Sequence, residues 1–141
     1  MPMNKLIVYV VVALIALSAA GHLVWRHVNY LDYLNEVVHE TERWGVIEDI
    51  NGDHLSIETT SDETWNQLVN LHQNGTRMWI GGIAEEYSNK WGFRLKPKNI
   101  TVAQVTAEGL QATIQFISEN LDYWLNLGWT YVSAKVTEIH E

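Results

Sequence analysis

The sequence contains no cysteine. This absence excludes a disulfide scaffold, thiol catalysis, zinc sites built on cysteine and iron–sulfur clusters. Basic residues are also few, because 9 Lys and Arg stand against 17 Asp and Glu in 141 residues, and the formal net charge is −8. Proteins that bind nucleic acid carry a basic surface, so we expect no nucleic-acid partner.

Recognisable catalytic motifs are absent as well. The sequence has no Gly-rich phosphate loop, no G-x-G-x-x-G, no H-E-x-x-H and no G-x-S-x-G. The adjacent carboxylates Glu85 and Glu86 would point to opposite faces of a strand and therefore cannot act as a pair. We predict that the protein is not an enzyme and uses no cofactor.

The N-terminal segment differs in composition from the rest of the chain. Residues 6–24 carry no fixed charge, and Trp25 and Arg26 follow them. As a helix this run would span about 28 Å, roughly one bilayer core. Residues 1–25 are therefore predicted to be a membrane anchor or a signal peptide cleaved near Gly21. We expect a single-pass protein of the cell membrane with its C-terminal domain outside, or a secreted protein if the leader is cleaved.

Residues 26–43 keep a helical period and contain neither glycine nor proline, which predicts a helical stalk. Its apolar positions would form one stripe. The stripe would pack on the chain's own domain or on a partner helix, including a second copy of the chain, and both alternatives stay open. The stripe consists of Tyr30, Leu31, Leu34, Val37 and Val38.

A metal-binding hypothesis rests on the same predicted helix. Glu36, His39 and Glu40 are spaced i, i+3, i+4, so a helix would place all three on one face. Such nitrogen and oxygen ligands would suit zinc or copper, and His27 lies upstream as a further candidate. The competing interpretation is a solvated helix face, on which such residues are common.

An Asn51-Gly52 pair between two alternating segments predicts a β-hairpin with a two-residue loop. The segment 49–53 also has the D-x-N-x-D pattern of a calcium loop, but its glycine stands at position four instead of six, which favours the hairpin. With this loop, one face of the hairpin would carry Trp44, Val46, Leu55 and Ile57.

The remaining pattern predicts an α+β domain over residues 44–141. The expected architecture is an antiparallel-dominated sheet with two helices on one face, a hairpin plus a split βαβ arrangement of ferredoxin-like type. The predicted elements after the hairpin are a helix from Thr60–Glu63 to Asn74-Gly75, strands 78–87 and 91–95, a helix over 107–126 capped by Thr106, and a strand over 131–139.

Residues 74–139 resemble a small exported α+β domain family of unknown function, found in archaeal and bacterial surface proteins. The resemblance is carried by the segment Trp91-Gly-Phe-Arg-Leu-Lys-Pro97, by Ile100 and by the helix start at Ala107-Glu108. The segment 78–87 resembles archaeal sequences, close to those of ammonia-oxidising lineages. The resemblance implies fold and export.

The same resemblance implies a polar site that this chain has largely lost. Related members carry His and Asp before the proline, and an Asp three residues after the helix Glu. This chain has Arg94, Lys96 and Gln111 at those positions, and only Glu108 remains.

Several aromatic residues do not fall on predicted core faces. An exposed set would bind a sugar, a peptide or another subunit, whereas the alternative is a second small core under the 125–131 loop. Asn74 and Asn99 begin glycosylation sequons. The candidate ligand-binding residues are Trp79, Tyr87, Trp129 and Glu108.

The leading hypothesis is a membrane-anchored extracytoplasmic domain without enzymatic activity. It would bind or scaffold another surface or membrane protein as an accessory subunit. The alternatives are a copper- or zinc-binding accessory protein and an exported carbohydrate- or peptide-binding module.

Overall fold

The computed structural model describes residues 5–18 and 39–141, which belong to two separate units. Residues 5–18 form helix α1, and its apolar side chains are exposed. Within these two ranges, no helix has the length and apolar character needed to cross a bilayer.

The predicted anchor and stalk extend beyond these ranges. Residues 39–43 are not helical, so the last five positions of the helix predicted over 26–43 are wrong. The stripe residues Tyr30, Leu31, Leu34, Val37 and Val38 lie outside the described residues, as do Glu36, His27 and the cleavage position near Gly21.

One sheet organises the second unit. Its strands run in the order β2-β1-β6-β3-β4, and β5 also pairs with β3. The strands are β1 (Trp44–Asp49), β2 (His54–Glu58), β3 (Met78–Glu86), β4 (Phe93–Leu95), β5 (Thr101–Ala103) and β6 (Trp129–His140). The helices are α2 (Asp62–Asn74), α3 (Ile114–Glu119) and α4 (Leu121–Leu127), with a 3₁₀ turn at Pro97–Asn99.

Every pairing between these six strands is antiparallel. The α+β class with an antiparallel sheet is therefore confirmed. The split βαβ, ferredoxin-like arrangement is wrong, because that motif requires a parallel strand pair. A single parallel bridge joins Gln111 to Tyr131, outside the pairs of named strands.

The β1–β2 hairpin is confirmed, but its loop has three residues. The amide of Asp49 donates to the carbonyl of Asp53 (3.0 Å), and the amide of Gly52 donates to the carbonyl of Asp49 (3.1 Å). Gly52 has a φ of 82°. A three-residue loop that ends on a left-handed glycine is the usual bulged hairpin connection. Asp49 is buried and accepts the Asn51 amide at 2.9 Å.

The longer loop moves the hairpin register by one residue. Val46 lies opposite Ser56, and Ile47 lies opposite Leu55. Because side chains alternate between the faces of a strand, such a shift exchanges the two faces. The prediction that Trp44 and Val46 share a face with Leu55 is therefore wrong, and Ile47 points into the core in their place.

Helix α2 has the predicted ends. The hydroxyl of Ser61 accepts the Thr64 amide (3.3 Å), and the helix ends at Asn74 before Gly75, whose φ is 63°. A polar N-cap and a left-handed C-terminal glycine satisfy groups that the helix leaves unpaired.

The helix predicted over 107–126 is wrong in its first turns. Helix α3 begins only after Thr113, whose hydroxyl accepts the Phe116 amide (3.2 Å). The preceding segment pairs with β6 instead. Tyr131 donates its amide to the carbonyl of Leu110 (2.7 Å) and accepts the Ala112 amide (2.9 Å). A break at Asn120 then separates α3 from α4.

The sheet curls until its edge strands β2 and β4 contact each other. The indole of Trp91 donates to the carbonyl of His54 across this contact (2.7 Å). The core lies on the concave face, where side chains from α2, α3 and α4 join those of the strands. This core includes Ile47, Leu55, Ile57, Trp65, Leu68, Ile80, Phe93, Leu95, Ile114, Ile117, Trp124, Val132 and Ala134.

Candidate functional site

We call the contact between β2 and β4 the seam. Arg94 on β4 binds three carboxylates there. Its guanidinium lies 2.6 Å from Glu85, 2.8 Å from Glu40 and 3.4 Å from Glu58. Glu58 is on β2, so Arg94 links the two edge strands of the sheet.

Arg94 is held as a cation by these neighbours. Burial lowers the pKa of Arg94, but the hydrogen bonds and negative charges of Glu40 and Glu85 outweigh burial, and the net shift is upward. The ring of Tyr87 lies 4.6 Å from the guanidinium carbon, at cation–π distance. Protein groups already surround this arginine, which favours a structural role over capture of an anion.

Glu58 ties the start of the domain to the sheet. This residue is 5% exposed, and its carboxylate accepts the backbone amides of Glu40 (2.9 Å) and Thr41 (3.2 Å). The hydroxyl of Thr41 donates to the same carboxylate (3.2 Å). Buried carboxylates are stable only when hydrogen-bonded in this way.

His39 lies beside the seam. Its Nε2 is 2.7 Å from the hydroxyl of Ser56, and its ring stacks on Trp44 at 4.0 Å. The opposite face of Trp44 stacks on His140 at 3.9 Å. Burial lowers the pKa of His39; the charge of Glu58 opposes this shift and that of His140 adds to it.

The proposed metal ligands are placed as follows. His39 contacts Ser56, Glu40 contacts Arg94, and Glu36 lies outside the described residues. Within residues 5–18 and 39–141, no three His, Asp or Glu side chains are grouped to hold a metal ion. The metal hypothesis stays a prediction.

A second surface lies on the convex face of β3 and β6. Trp79 pairs with Ser133, Gly81 with Tyr131, and Ile83 with Trp129, so these side chains share one face. We call Trp79, Tyr131 and Trp129 the aromatic platform. The rings of Trp129 and Tyr131 are nearly parallel, at an angle of 15° with centroids 6.4 Å apart.

Gly81 explains how the ring of Tyr131 is seated. A Cβ at residue 81 would lie 2.5 Å from Cδ1 of Tyr131. The ring therefore rests against the backbone of β3, and its hydroxyl lies 3.2 Å from that of Thr101 on β5. Coverage of a strand glycine by a cross-strand aromatic ring fixes both strands and the ring.

A shallow hollow borders the platform at Trp79. Its volume is about 470 Å³ and it is open to solvent. Its polar groups come from the loops that end β1 and precede α3, and from β6. The lining residues are Asp49, Ile50, Trp79, Gln111, Ala112, Thr113 and Ser133.

Residues 41–141 match the sequence profile of a family described as the BP-74 N-terminal domain. The chain belongs to this family. No curated protein and no solved structure gives a match. The family description names a domain and not an activity. The matched range includes the hairpin and α2, so it is longer than the resemblance over 74–139.

This family domain brings together only part of the predicted ligand set. Trp79 and Trp129 lie on one sheet face, as a shared surface requires. Tyr87 instead lies in the seam against Arg94, and Glu108 is exposed in a turn and not on a helix.

Sequence reasoning missed two residues of this surface. Tyr131 follows Trp129 at the period of a strand, and Gly81 is the position opposite it; a glycine inside a strand was the available signal. Gln111 was noted only as a departure from the resembling family, and it lines the hollow. The sequon residue Asn74 is exposed at the end of α2, and Asn99 is half-buried in the 3₁₀ turn.

Proposed function

We propose that this domain is a non-enzymatic binding domain and that the aromatic platform is its binding surface. The observation that carries the proposal is the position of Trp79, Tyr131 and Trp129 on one sheet face, opposite the face on which the helices pack. Trp129 is 37% exposed. Aromatic rings grouped on an uncovered face are a common feature of recognition surfaces.

The arrangement of the carboxylates supports a non-enzymatic role. Glu58 and Glu85 bind Arg94, and Asp49 accepts the amides of Ile114 (2.9 Å) and Asp53 (3.1 Å). Acid–base chemistry requires a carboxyl group that reaches the reacting atoms of a substrate. These three side chains are instead used to hold loops and strands together.

We further propose that the domain is displayed outside the cell membrane by its N-terminal segment, as an accessory component of the cell surface. The apolar run 6–24 supports this location, and helix α1 exposes apolar side chains. Release by cleavage near Gly21 and self-association through residues 26–43 are the alternatives. Membrane fractionation followed by intact-mass measurement tests the location, because a soluble species that begins near Gly21 would contradict an anchor.

Site-specific photocrosslinking of the full-length protein in native membranes tests the binding surface. A photoreactive phenylalanine analogue would replace Trp129, or Tyr123 on α4 as the matched exposed control. We expect one defined adduct from position 129 that is absent from position 123, with the adduct identified by mass spectrometry. Identical adduct patterns from both positions would refute the platform as the binding surface.

A further inference from the structure

We infer that the aromatic platform and its adjoining hollow bind an uncharged glycan. This inference rests on the proposed function, since it names the ligand class of the same surface. It depends on the shape of the platform, its size, the polar groups beside it and the charges around it.

The shape suits a flat ring with an apolar face. Trp129 and Tyr131 are nearly parallel, and the contact of Tyr131 with the backbone of Gly81 fixes the orientation of its ring. A pyranose presents C–H groups on its faces and hydroxyls at its rim, so it can pack one face on an aromatic ring while its rim stays hydrated. A rigid platform binds such a ring with little loss of side-chain entropy.

The size of the surface favours a saccharide over a protein. Aromatic side chains have on the order of 150–250 Å² of surface, and two of these three are half-buried, so the platform offers about 200–300 Å². A stable protein interface buries about 800 Å² on each partner. The platform is therefore large enough for two or three sugar rings and too small to form a stable protein interface alone.

The hollow beside Trp79 supplies neutral hydrogen-bonding groups. The Gln111 side chain is exposed there, and its amide nitrogen lies 3.5 Å from the Thr106 carbonyl, which leaves its carbonyl oxygen to accept from a ligand. The hydroxyl of Thr113 accepts the Phe116 amide, so its proton is available to donate outward. Amide and hydroxyl groups of this kind match the donor and acceptor pattern of sugar hydroxyls.

The charge distribution argues against an anionic ligand. The chain carries a formal charge of −8, and the buried carboxylate of Asp49 lines the hollow. Aromatic platforms that bind nucleic acid are accompanied by a positively charged groove that follows the phosphates. Near this platform, the guanidinium of Arg77 donates to the Ser133 carbonyl (2.9 Å). An uncharged glycan is the class of ligand that combines apolar ring faces with hydroxyls.

Isothermal titration of the full-length protein tests this inference. The protein would be reconstituted in lipid nanodiscs, which avoids detergents with sugar headgroups. The probes are cellohexaose, chitohexaose and mannohexaose, with a hyaluronan hexasaccharide as the acidic comparison. We expect binding of at least one neutral hexasaccharide, together with a change in tryptophan fluorescence. Failure of all three, or preference for the acidic probe, would overturn the inference.

Variants assign the binding to the platform. We expect Trp129→Ala to weaken binding by about tenfold, the loss of one stacking contact and its buried area. Tyr123→Ala removes an exposed aromatic side chain elsewhere and should leave binding unchanged. Gln111→Ala, an exposed change that keeps all aromatic rings, should weaken binding by about threefold, roughly one hydrogen bond. Unchanged affinity in both Trp129→Ala and Gln111→Ala would overturn the assignment.

Failure of this inference differs from failure of the proposed function. If no neutral glycan binds but position 129 crosslinks a defined protein, the glycan assignment is overturned and a binding surface remains. If position 129 gives no adduct distinct from that of position 123, the proposed function itself fails.

Discussion

The ring of Tyr131 occupies the space that a side chain at residue 81 would need. A Cβ added to Gly81 would overlap the Thr130 carbonyl and lie 2.5 Å from Cδ1 of Tyr131. The contact lies at the centre of β3 and β6, directly under the aromatic platform. A change at this glycine therefore affects both the sheet and the surface.

We predict that Gly81→Ala destabilises the fold by at least about 2 kcal/mol, because extra volume in a packed region forces the backbone and the ring apart. Chemical denaturation measures this change. Gly75→Ala is the control, since its Cβ would meet no atom within 4 Å and only the left-handed backbone (φ 63°) opposes it. That control should cost about 1 kcal/mol. Equal costs at both positions would contradict the packing role of Gly81.

The seam gives a second prediction. Arg94→Met should destabilise the fold by about 2–4 kcal/mol, because it leaves the buried carboxylate of Glu58 without its cation. Arg43→Met is the control, since the partner of Arg43 is Asp62, whose side chain is 86% exposed. Exposed ion pairs contribute about 0–1 kcal/mol. Thermal and denaturant unfolding would compare the two variants, and similar small effects would show that the seam does not depend on Arg94.

The sequence predicted those parts of the fold that local groups determine. The ends of α2 follow from Ser61 and Gly75, which satisfy backbone groups within one turn. The hairpin follows from Asn51-Gly52 in the same way. Its register did not, because Asp49 accepts amides within the loop and extends it by one residue.

Elements that depend on distant partners were predicted less well. The apolar period through Leu110 and Ile114 indicates a helix, yet residues 110–112 pair with Tyr131 on β6, about twenty positions later in the chain. Two threonines, Thr106 and Thr113, can both cap a helix, and only the sheet partner decides between them. The platform was predicted in part, because Trp79 and Trp129 are separated in sequence and only strand pairing places them together.

Asp49 supports a third prediction. Its buried carboxylate accepts the amides of Asn51 and Asp53 in the hairpin and that of Ile114 at the start of α3. We expect Asp49→Ala to destabilise the fold by about 2–3 kcal/mol, because buried amides lose their acceptor. Asp49→Asn keeps the shape and one acceptor oxygen, and should cost less. Denaturant unfolding that ranks Asn as more harmful than Ala would contradict this account.

His39 gives a prediction about pH. Burial lowers its pKa below the ordinary value of 6.5, so the folded state favours the neutral ring. The unfolded chain then binds more protons, and the free energy of unfolding falls as the pH drops through and below 6.5. Burial lowers the pKa of His54 in the same direction, against the opposing charges of Glu48 and Glu138.

Denaturation at a series of pH values measures this effect. Between about pH 7.5 and 5.5, we expect His39→Gln to reduce the slope of unfolding free energy against pH, because glutamine does not titrate there. His54→Gln should remove a separate part of the slope, and the double variant should remove both, since the two histidines contact different groups. The contribution is complete above pH 6.5 and is lost below the folded-state pKa. An unchanged slope in the double variant would show that neither ring titrates with folding.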